Sequence, residues 1–383
     1  MDDIVNGEDN FGEDEDAEGS NARTGNSKKT VSMREYYCYK FQIRPTENVI
    51  LLGGRLLQQF SVNIYIKIEM SRLQFYEHNQ DTIRADFYQG IVDCVNAGEV
   101  NSNRVGRRIV LPASFIGGSR DMRRRFLDVM SLVQDDGKPD IFLTFTCNLN
   151  WPEITEKLLP GQTAQDRPGL VARAFRAKLE DLKKQLLKKH VLGEVGAYVY
   201  VIEFQKRGLP YAHFLLIMKP THKITSPDQY DKLVCAEIPD PSRYPELHER
   251  VVQHMIHGPC GPLNDKSPCM QGEPKACRFH YPRQFNEHTV QGDDSYPLYR
   301  RRRNGIKVKK GKHDIDNRWV VPYNPTLLMM FNCHMNIEIC SSIKSVKYVF
   351  KYIYKGHDKQ SVHIDPDGEE EVVINEIKRF QDA

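Results

Sequence analysis

Apolar residues recur at Leu56, Phe60, Ile64, Ile68 and Leu73, a spacing that predicts a helix over about 55–80. A second helical region is expected over 82–96. A loop at 114–120, containing Gly117 and Gly118, leads into a third helix over 121–133. The run DIFLTFTC at 140–147 is short, apolar and rich in β-formers, with Gly137 and Pro139 before it, and predicts a buried strand. The stripe Val171, Phe175, Leu179, Leu182 and Leu186 predicts a long helix over 169–189, with Lys and Arg on its other face. Two strand-like runs follow at 197–204 and 211–218, and Gly208 and Pro210 between them predict a hairpin-like turn. A further strand is expected at 319–323. Over 331–340 the alternation places Asn332, His334, Asn336 and Glu338 on one face and Cys333, Met335, Ile337 and Ile339 on the other. A last helix is expected at 342–355, and there is no internal repeat.

Composition adds an unstructured beginning and a basic body. Residues 1–20 hold nine acidic side chains and no Lys or Arg, so a net charge of +3 leaves roughly +12 on the remainder. Residues 1–35 have almost nothing to bury and are expected to be disordered. The positive body suits a polyanion such as nucleic acid. No run of about 18 apolar residues predicts a membrane span, and the acidic start does not fit a signal peptide. Nine cysteines then read as reduced thiols or metal ligands in an intracellular protein. The pattern G-x-x-x-x-G-K-[ST] is absent, which argues against ATP-driven unwinding by this chain.

Four segments could carry chemistry. Within 203–216, EFQKRGLPYAHFLL, Tyr211 and His213 stand two apart on an expected strand and so point the same way. The plainer reading is that both pack in a half-buried strand. Within 347–356, KYVFKYIYKG, Tyr348 and Tyr352 are four apart and share one helix face, each with a lysine three residues on, Lys351 and Lys355. A nearby ammonium favours a phenolate and steadies a phosphate under attack; the plainer reading is aromatic packing with solvated lysines. Cys260, Cys269, Cys277 and His280 fall within about 20 residues that lack apolar periodicity, and a Cys₃His zinc site would explain how they are ordered, with His257 as the reserve ligand. Last, Arg300, Arg301, Arg302, Arg303, Lys307, Lys309, Lys310 and Lys312 form a basic run after Tyr296 and Tyr299, with a smaller cluster at 123–125. Such runs neutralise phosphates, and neighbouring aromatics stack on unpaired bases. A solvated surface or a nuclear import signal is the alternative.

The 203–216 segment resembles the Helitron form of the motif in which two histidines flank one apolar residue, with Tyr211 where the first histidine belongs. Blocks at 106–118, 142–154 and 316–324 also resemble those of Helitron helicase-like N-terminal domains, so the resemblance covers about 36–357. It implies an α+β fold: an antiparallel Rep/HUH-like sheet flanked by helices, with an N-terminal helical region and a Cys/His-rich insertion. The organisation expected is a helical region at 36–135, the first part of the core at 136–220, the insertion at 221–296, the second part of the core with the tyrosine helix at 297–357, and a polar tail at 358–383. The resemblance implies binding and nicking of single-stranded DNA, with Tyr348 or Tyr352 attacking a phosphodiester to leave a covalent 5′-phosphotyrosine. A divalent ion, Mg²⁺ or Mn²⁺, would be held by His213 with Glu203 or His334. A neutral phenol is a poor ligand for a hard ion, so Tyr211 predicts a weakened site and impaired cleavage. The alternative is a non-catalytic nucleic-acid-binding remnant. A nuclear location and a helicase supplied by another chain go with either reading, since the family's helicase region would begin beyond this chain.

Overall fold

The computed structural model describes residues 31–44, 46, 48–80, 83, 109–204, 208–292, 296–340 and 375–381. They fall into two compact units divided after Ile68. In the first, helix α1 (Met33–Lys40) is closed by a reciprocal cap: the Ser32 hydroxyl accepts the Glu35 N–H, and the Glu35 carboxylate accepts the Ser32 N–H. The long helix α2 (Arg55–His78) begins here. Its buried positions are Leu57, Ile64 and Leu73, whereas Leu56, expected on the apolar stripe, is 77% exposed. Ile64 and Leu73 are thus buried as the pattern along the chain predicts, and the stripe departs from it only at its first positions, where Leu57 is buried while Leu56 and Phe60 are exposed.

The second unit is built on a four-stranded antiparallel sheet in the order β2-β3-β1-β8. The strands are β1 (Ile141–Thr146), β2 (Val195–Phe204), β3 (Pro210–Met218) and β8 (Met335–Ile339). Helix α3 (Ser119–Asp136), the turn α4 (Pro152–Thr155) and helix α5 (Pro168–Leu187) lie around it. Alternation sends Leu143, Phe145, Phe214, Leu216, Met335 and Ile337 to one face. That face joins the α5 stripe of Val171, Phe175, Leu179, Leu182 and Leu186, all buried as expected. Trp151 closes this core at one end, its indole N–H donating to the Phe331 carbonyl at 2.7 Å. At about 25 cal/mol per Å² of apolar surface, each such core side chain contributes roughly 1.5–3 kcal/mol.

The opposite face is divided. Val129 and Val133 of α3 accompany Phe142, Leu215, Ala197 and Ile217 in small apolar clusters. The other half carries polar side chains, among them Glu203, His213 and Thr144. In the turn between β2 and β3, Gly208 takes φ 80°, a left-handed conformation that favours glycine.

Residues 220–333 hold a second core of their own. It gathers Ile238, Val251, Met255, Trp319, Tyr323 and Leu328, together with Cys260, Cys269 and Cys277. Around it lie α6 (Pro227–Leu233), α7 (Pro245–His254), the hairpins β4 (Met270–Gln271) with β5 (Ala276–Cys277) and β6 (Val308–Lys310) with β7 (His313–Ile315), and α8 (Pro325–Phe331). Two expectations change here. Residues 319–323 are not a strand: Asp316 accepts the Arg318 N–H and starts a tight turn over Asn317–Trp319, after which Val320 and Tyr323 make isolated bridges to Ile256 and Cys235. Phe331 ends a helix instead of starting a strand, because Asn324 caps α8, Pro325 opens it and Asn332, at φ 46°, ends it.

A final helix, α9 (Glu376–Gln381), places Ile377 and Phe380 beside Phe115 and Leu111, and Glu376 pairs with Arg120. No helix among the described residues is long and apolar enough to cross a membrane. The expected α+β class is therefore the class observed, with antiparallel sheets, flanking helices and a Cys/His cluster. The expected helices at 82–96 and 342–355 and the acidic N-terminal stretch to residue 30 lie outside the described residues.

Candidate functional site

In-register neighbours on adjacent strands share a face. Glu203 on β2 stands opposite Tyr211 on β3, which stands opposite Thr146 on β1. In the next row on this face, Val201, His213, Thr144 and Asn336 run across all four strands. His213 is buried, at 9% exposure; its Nδ1 and the Thr144 hydroxyl are hydrogen-bonded at 2.9 Å, and its ring stacks on Phe142 at 5.3 Å. The Tyr211 ring meets it edge-on at 5.0 Å, and the Tyr211 hydroxyl donates to the Glu203 carboxylate. Tyr211 thus brings a phenol and its carboxylate acceptor together beside His213 on this face.

His334 lies on the same face but is turned elsewhere. Its Nδ1 is hydrogen-bonded to the His254 carbonyl at 2.7 Å, and burial pulls its pKa below the ordinary histidine value. Among the described residues, Glu203, His213 and His334 form no group with three ligand atoms close enough to share an ion. Glu203 is engaged by Tyr211, and His334 by the backbone at the end of α7. Further along β8, burial pushes the Glu338 carboxyl up to about 7, opposed by a hydrogen bond from Tyr299 and by the nearby charges of Arg283 and Arg301. Tyr348, Lys351, Tyr352 and Lys355 lie outside the described residues.

The Cys/His cluster does converge, with one change of member. His257, Cys260, Cys269 and Cys277 have ligand atoms all within 4.8 Å of one another. His257 Nε2 is 3.6 Å from both the Cys260 and the Cys277 sulfur. A tetrahedral zinc ion with Zn–S about 2.3 Å and Zn–N about 2.05 Å sets N···S at about 3.6 Å, so the spacing fits that ion. His280, the expected fourth ligand, is corrected: it is exposed at φ 59° on the turn after Cys277, while His257 occupies the fourth corner. Both His257-x2-Cys260 and Cys277-x2-His280 have the short spacing typical of one half of a zinc site, so spacing alone does not choose between the two histidines.

The chemistry of the donor set agrees. Burial, with Arg283 and His334 adding to it, lowers the His257 pKa and favours the neutral, ligating imidazole. Its ring stacks on Tyr281 at 4.2 Å. At Cys277 burial opposes the thiolate, but backbone N–H groups of Tyr281 and Phe279 outweigh it and lower the pKa, whereas burial and its cysteine neighbours push Cys260 up to about 12. Three sulfurs this close cannot all ionise by themselves; a cation among them removes that conflict. The cluster could hold a metal such as zinc. None of the eight described cysteines is in a disulfide.

Among protein families, residues 36–216 match the one described as the Helitron helicase-like domain at the N-terminus. This part of the chain is similar to that family's domain. The matched stretch runs from α1 into β3 and contains Glu203, Tyr211 and His213. No curated protein matches the chain.

The basic run lies beyond the matched stretch, and its members do different things. Arg301 is corrected as a nucleic-acid contact: it is 4% exposed and donates from one nitrogen to the carbonyls of Ala236, Asn317 and Val320. Its neighbours point the other way. Arg302 forms a bidentate pair with Glu237 at 2.7–3.3 Å, and Arg300 reaches Asp231 and Glu237 at 3.2 and 3.7 Å. Lys310 donates to the Val252 carbonyl at 2.7 Å, and burial lowers its pKa. Arg303, Lys307, Lys309 and Lys312 are exposed. A run of eight cations thus resolves into one buried anchor, three tethered groups and four solvent-facing ones.

Proposed function

We propose that this chain is a single-stranded-DNA-binding domain of Helitron origin in which tyrosine-dependent, divalent-metal-assisted nicking and joining is the ancestral activity and is weakened. The observation that carries this reading is the Tyr211–Glu203 contact inside the matched domain. It puts a neutral phenol at the position of the missing imidazole and occupies a carboxylate that could have compensated for it. Thr144 and Phe142 hold the His213 ring in a half-polar sheet face, which supports a part for it in contacting the phosphate backbone. Tyr348 and Tyr352 are assigned the nucleophile roles, with Lys351 and Lys355 as their cationic neighbours, through the family resemblance.

The cation at His257, Cys260, Cys269 and Cys277 is assigned as zinc, since three sulfurs and an imidazole at tetrahedral spacing suit that ion and poorly suit Mg²⁺. Its role is structural, because a closed four-ligand set leaves no open position for substrate. Nuclear residence and a helicase on another chain complete the reading.

Incubation with labelled single-stranded and duplex oligonucleotides tests it. Salt-dependent binding that favours the single strand is expected, with at most a trace of covalent adduct in Mn²⁺, and that trace lost in Tyr348→Phe or Tyr352→Phe. Absence of single-strand binding would end the proposal.

A further inference from the structure

An open cleft of about 1070 Å³ lies beside the second core, bounded by 235–241, the start of α7, and the strap 300–306. The strap has its shape because Arg301 is anchored inward on three carbonyls, and extended backbone then turns its two neighbours to the opposite side. Asn317 fixes it further, donating to the Arg302 carbonyl at 2.8 Å and accepting the Ile238 N–H at 2.8 Å. Arg300, Arg302, Arg303 and Arg243 consequently all line the cleft. Glu237 balances Arg300 and Arg302, whereas Arg303 and Arg243 form no ion pair among the described residues.

These last two cations are paired with aromatic rings. Arg243 lies over Tyr244 at 5.4 Å, and Tyr244, also lining the cleft, is 51% exposed. Arg303 lies over Phe285 at 4.9 Å, with Arg318 also over that ring at 4.8 Å. Exposed Lys307, Lys309 and Lys312 continue the positive rim along the chain. Guanidinium groups beside an accessible ring in an open groove match what an unpaired polynucleotide needs: cations for its phosphates and a flat face for a base.

We infer that this cleft is a binding groove for single-stranded nucleic acid, with Arg243 and Arg303 on the phosphates and Tyr244 under a base. It lies outside the residues matched to the Helitron helicase-like domain, so it is a site separate from the sheet face. The inference rests on the proposed single-strand binding and says where part of that binding takes place.

The test uses the full chain and a fluorescein-labelled oligothymidylate, read by anisotropy over a salt series. Arg243→Gln with Arg303→Gln is expected to weaken binding at least tenfold. The double variant should also reduce the slope of log affinity against log salt by about 1.4, or about 0.7 for each single-strand phosphate that is no longer neutralised. Tyr244→Ala should weaken binding about tenfold with little change in slope. Glu287→Gln removes an exposed carboxylate from the cleft wall and should tighten binding. Lys188→Gln with Lys189→Gln, just past α5, makes the same change of net charge on another element and should have less than a twofold effect. If the wild type binds and the arginine pair keeps its affinity and slope, the cleft is not the groove, while the single-strand reading stands. If the wild type binds no oligonucleotide, the underlying reading itself fails.

Discussion

Replacing His257 with alanine should release the metal from the Cys/His cluster, and the consequence can be sized. Four ligands with N···S spacings of 3.6 Å need little rearrangement to close on zinc, so most of the binding free energy is available to hold the fold. Structural zinc contributes about 10–16 kcal/mol in small domains, against about 5–15 kcal/mol of net stability for a whole domain. Here the metal supplements a real apolar core built on Trp319, Tyr323 and Val251, so its loss should loosen 256–282 without unfolding the sheet. The attachment is specific: the His257 N–H donates to the Trp319 carbonyl at 2.8 Å, and the Val321 N–H donates to the Met255 carbonyl at 2.7 Å. Elemental analysis should find one zinc per wild-type chain, and less than a tenth of that in His257→Ala after dialysis against a mild chelator. His280→Ala should keep its zinc. Hydrogen exchange should speed up across 256–282 in the first variant, while β1 and α5 stay protected. Zinc-free wild-type protein that is folded, or equal metal loss in both variants, would refute the assignment.

Three further outcomes follow from buried polar groups. Glu338 has a folded pKa of about 7, above its unfolded value of 4.5, so the native state holds its proton more tightly. Stability from this group is full below about pH 4.5 and is lost as pH rises through 7, by about 3 kcal/mol at most; Glu338→Gln should flatten that part of a denaturation-versus-pH curve, and an unchanged slope would contradict it. Arg301→Ala removes a buried donor shared by three carbonyls, of which Asn317 and Val320 keep weaker partners, and should cost about 3 kcal/mol in chemical denaturation, whereas the exposed Arg303→Ala should cost less than about 0.5 kcal/mol. Trp151→Phe keeps the stacking on Phe145 but strands the Phe331 carbonyl, and should lower stability by about 1–3 kcal/mol; a smaller loss would mean that water replaces the indole.

How far the sequence could be read depends on which force shapes each segment. The α5 stripe and the β1–β3 pair were legible because a single apolar face against a sheet leaves a strict period in the chain. On α2 the apolar residues are so numerous that Leu56 and Leu57 fit equally well, and only packing decides between them. The second core left no period at all, since its residues come from 235 to 328 in single contributions held by turns, bridges and a ligand cluster. Two neighbouring histidines, 257 and 280, both stood near the cysteines, and nothing in composition separates a ligand from an exposed turn residue. Arg301 was the least legible: four consecutive arginines look alike as charge, but alternation of an extended strap buries one and turns its neighbours out. Tyr211 was visible as a departure from the motif, while its grip on Glu203 became visible only when the hairpin paired them.

Restoring the imidazole is the sharpest trial of the functional reading. Wild-type protein and Tyr211→His, each with a 5′-labelled single strand and Mn²⁺, can be compared for covalent adduct on a denaturing gel while strand affinity is measured in parallel. Equal affinity and at least a tenfold gain of adduct in the histidine variant, abolished by adding Tyr348→Phe and Tyr352→Phe, is the predicted result. Abundant adduct from the wild type, or no gain in a histidine variant that still binds the strand, would contradict the claim that the phenol at 211 is what disables the site.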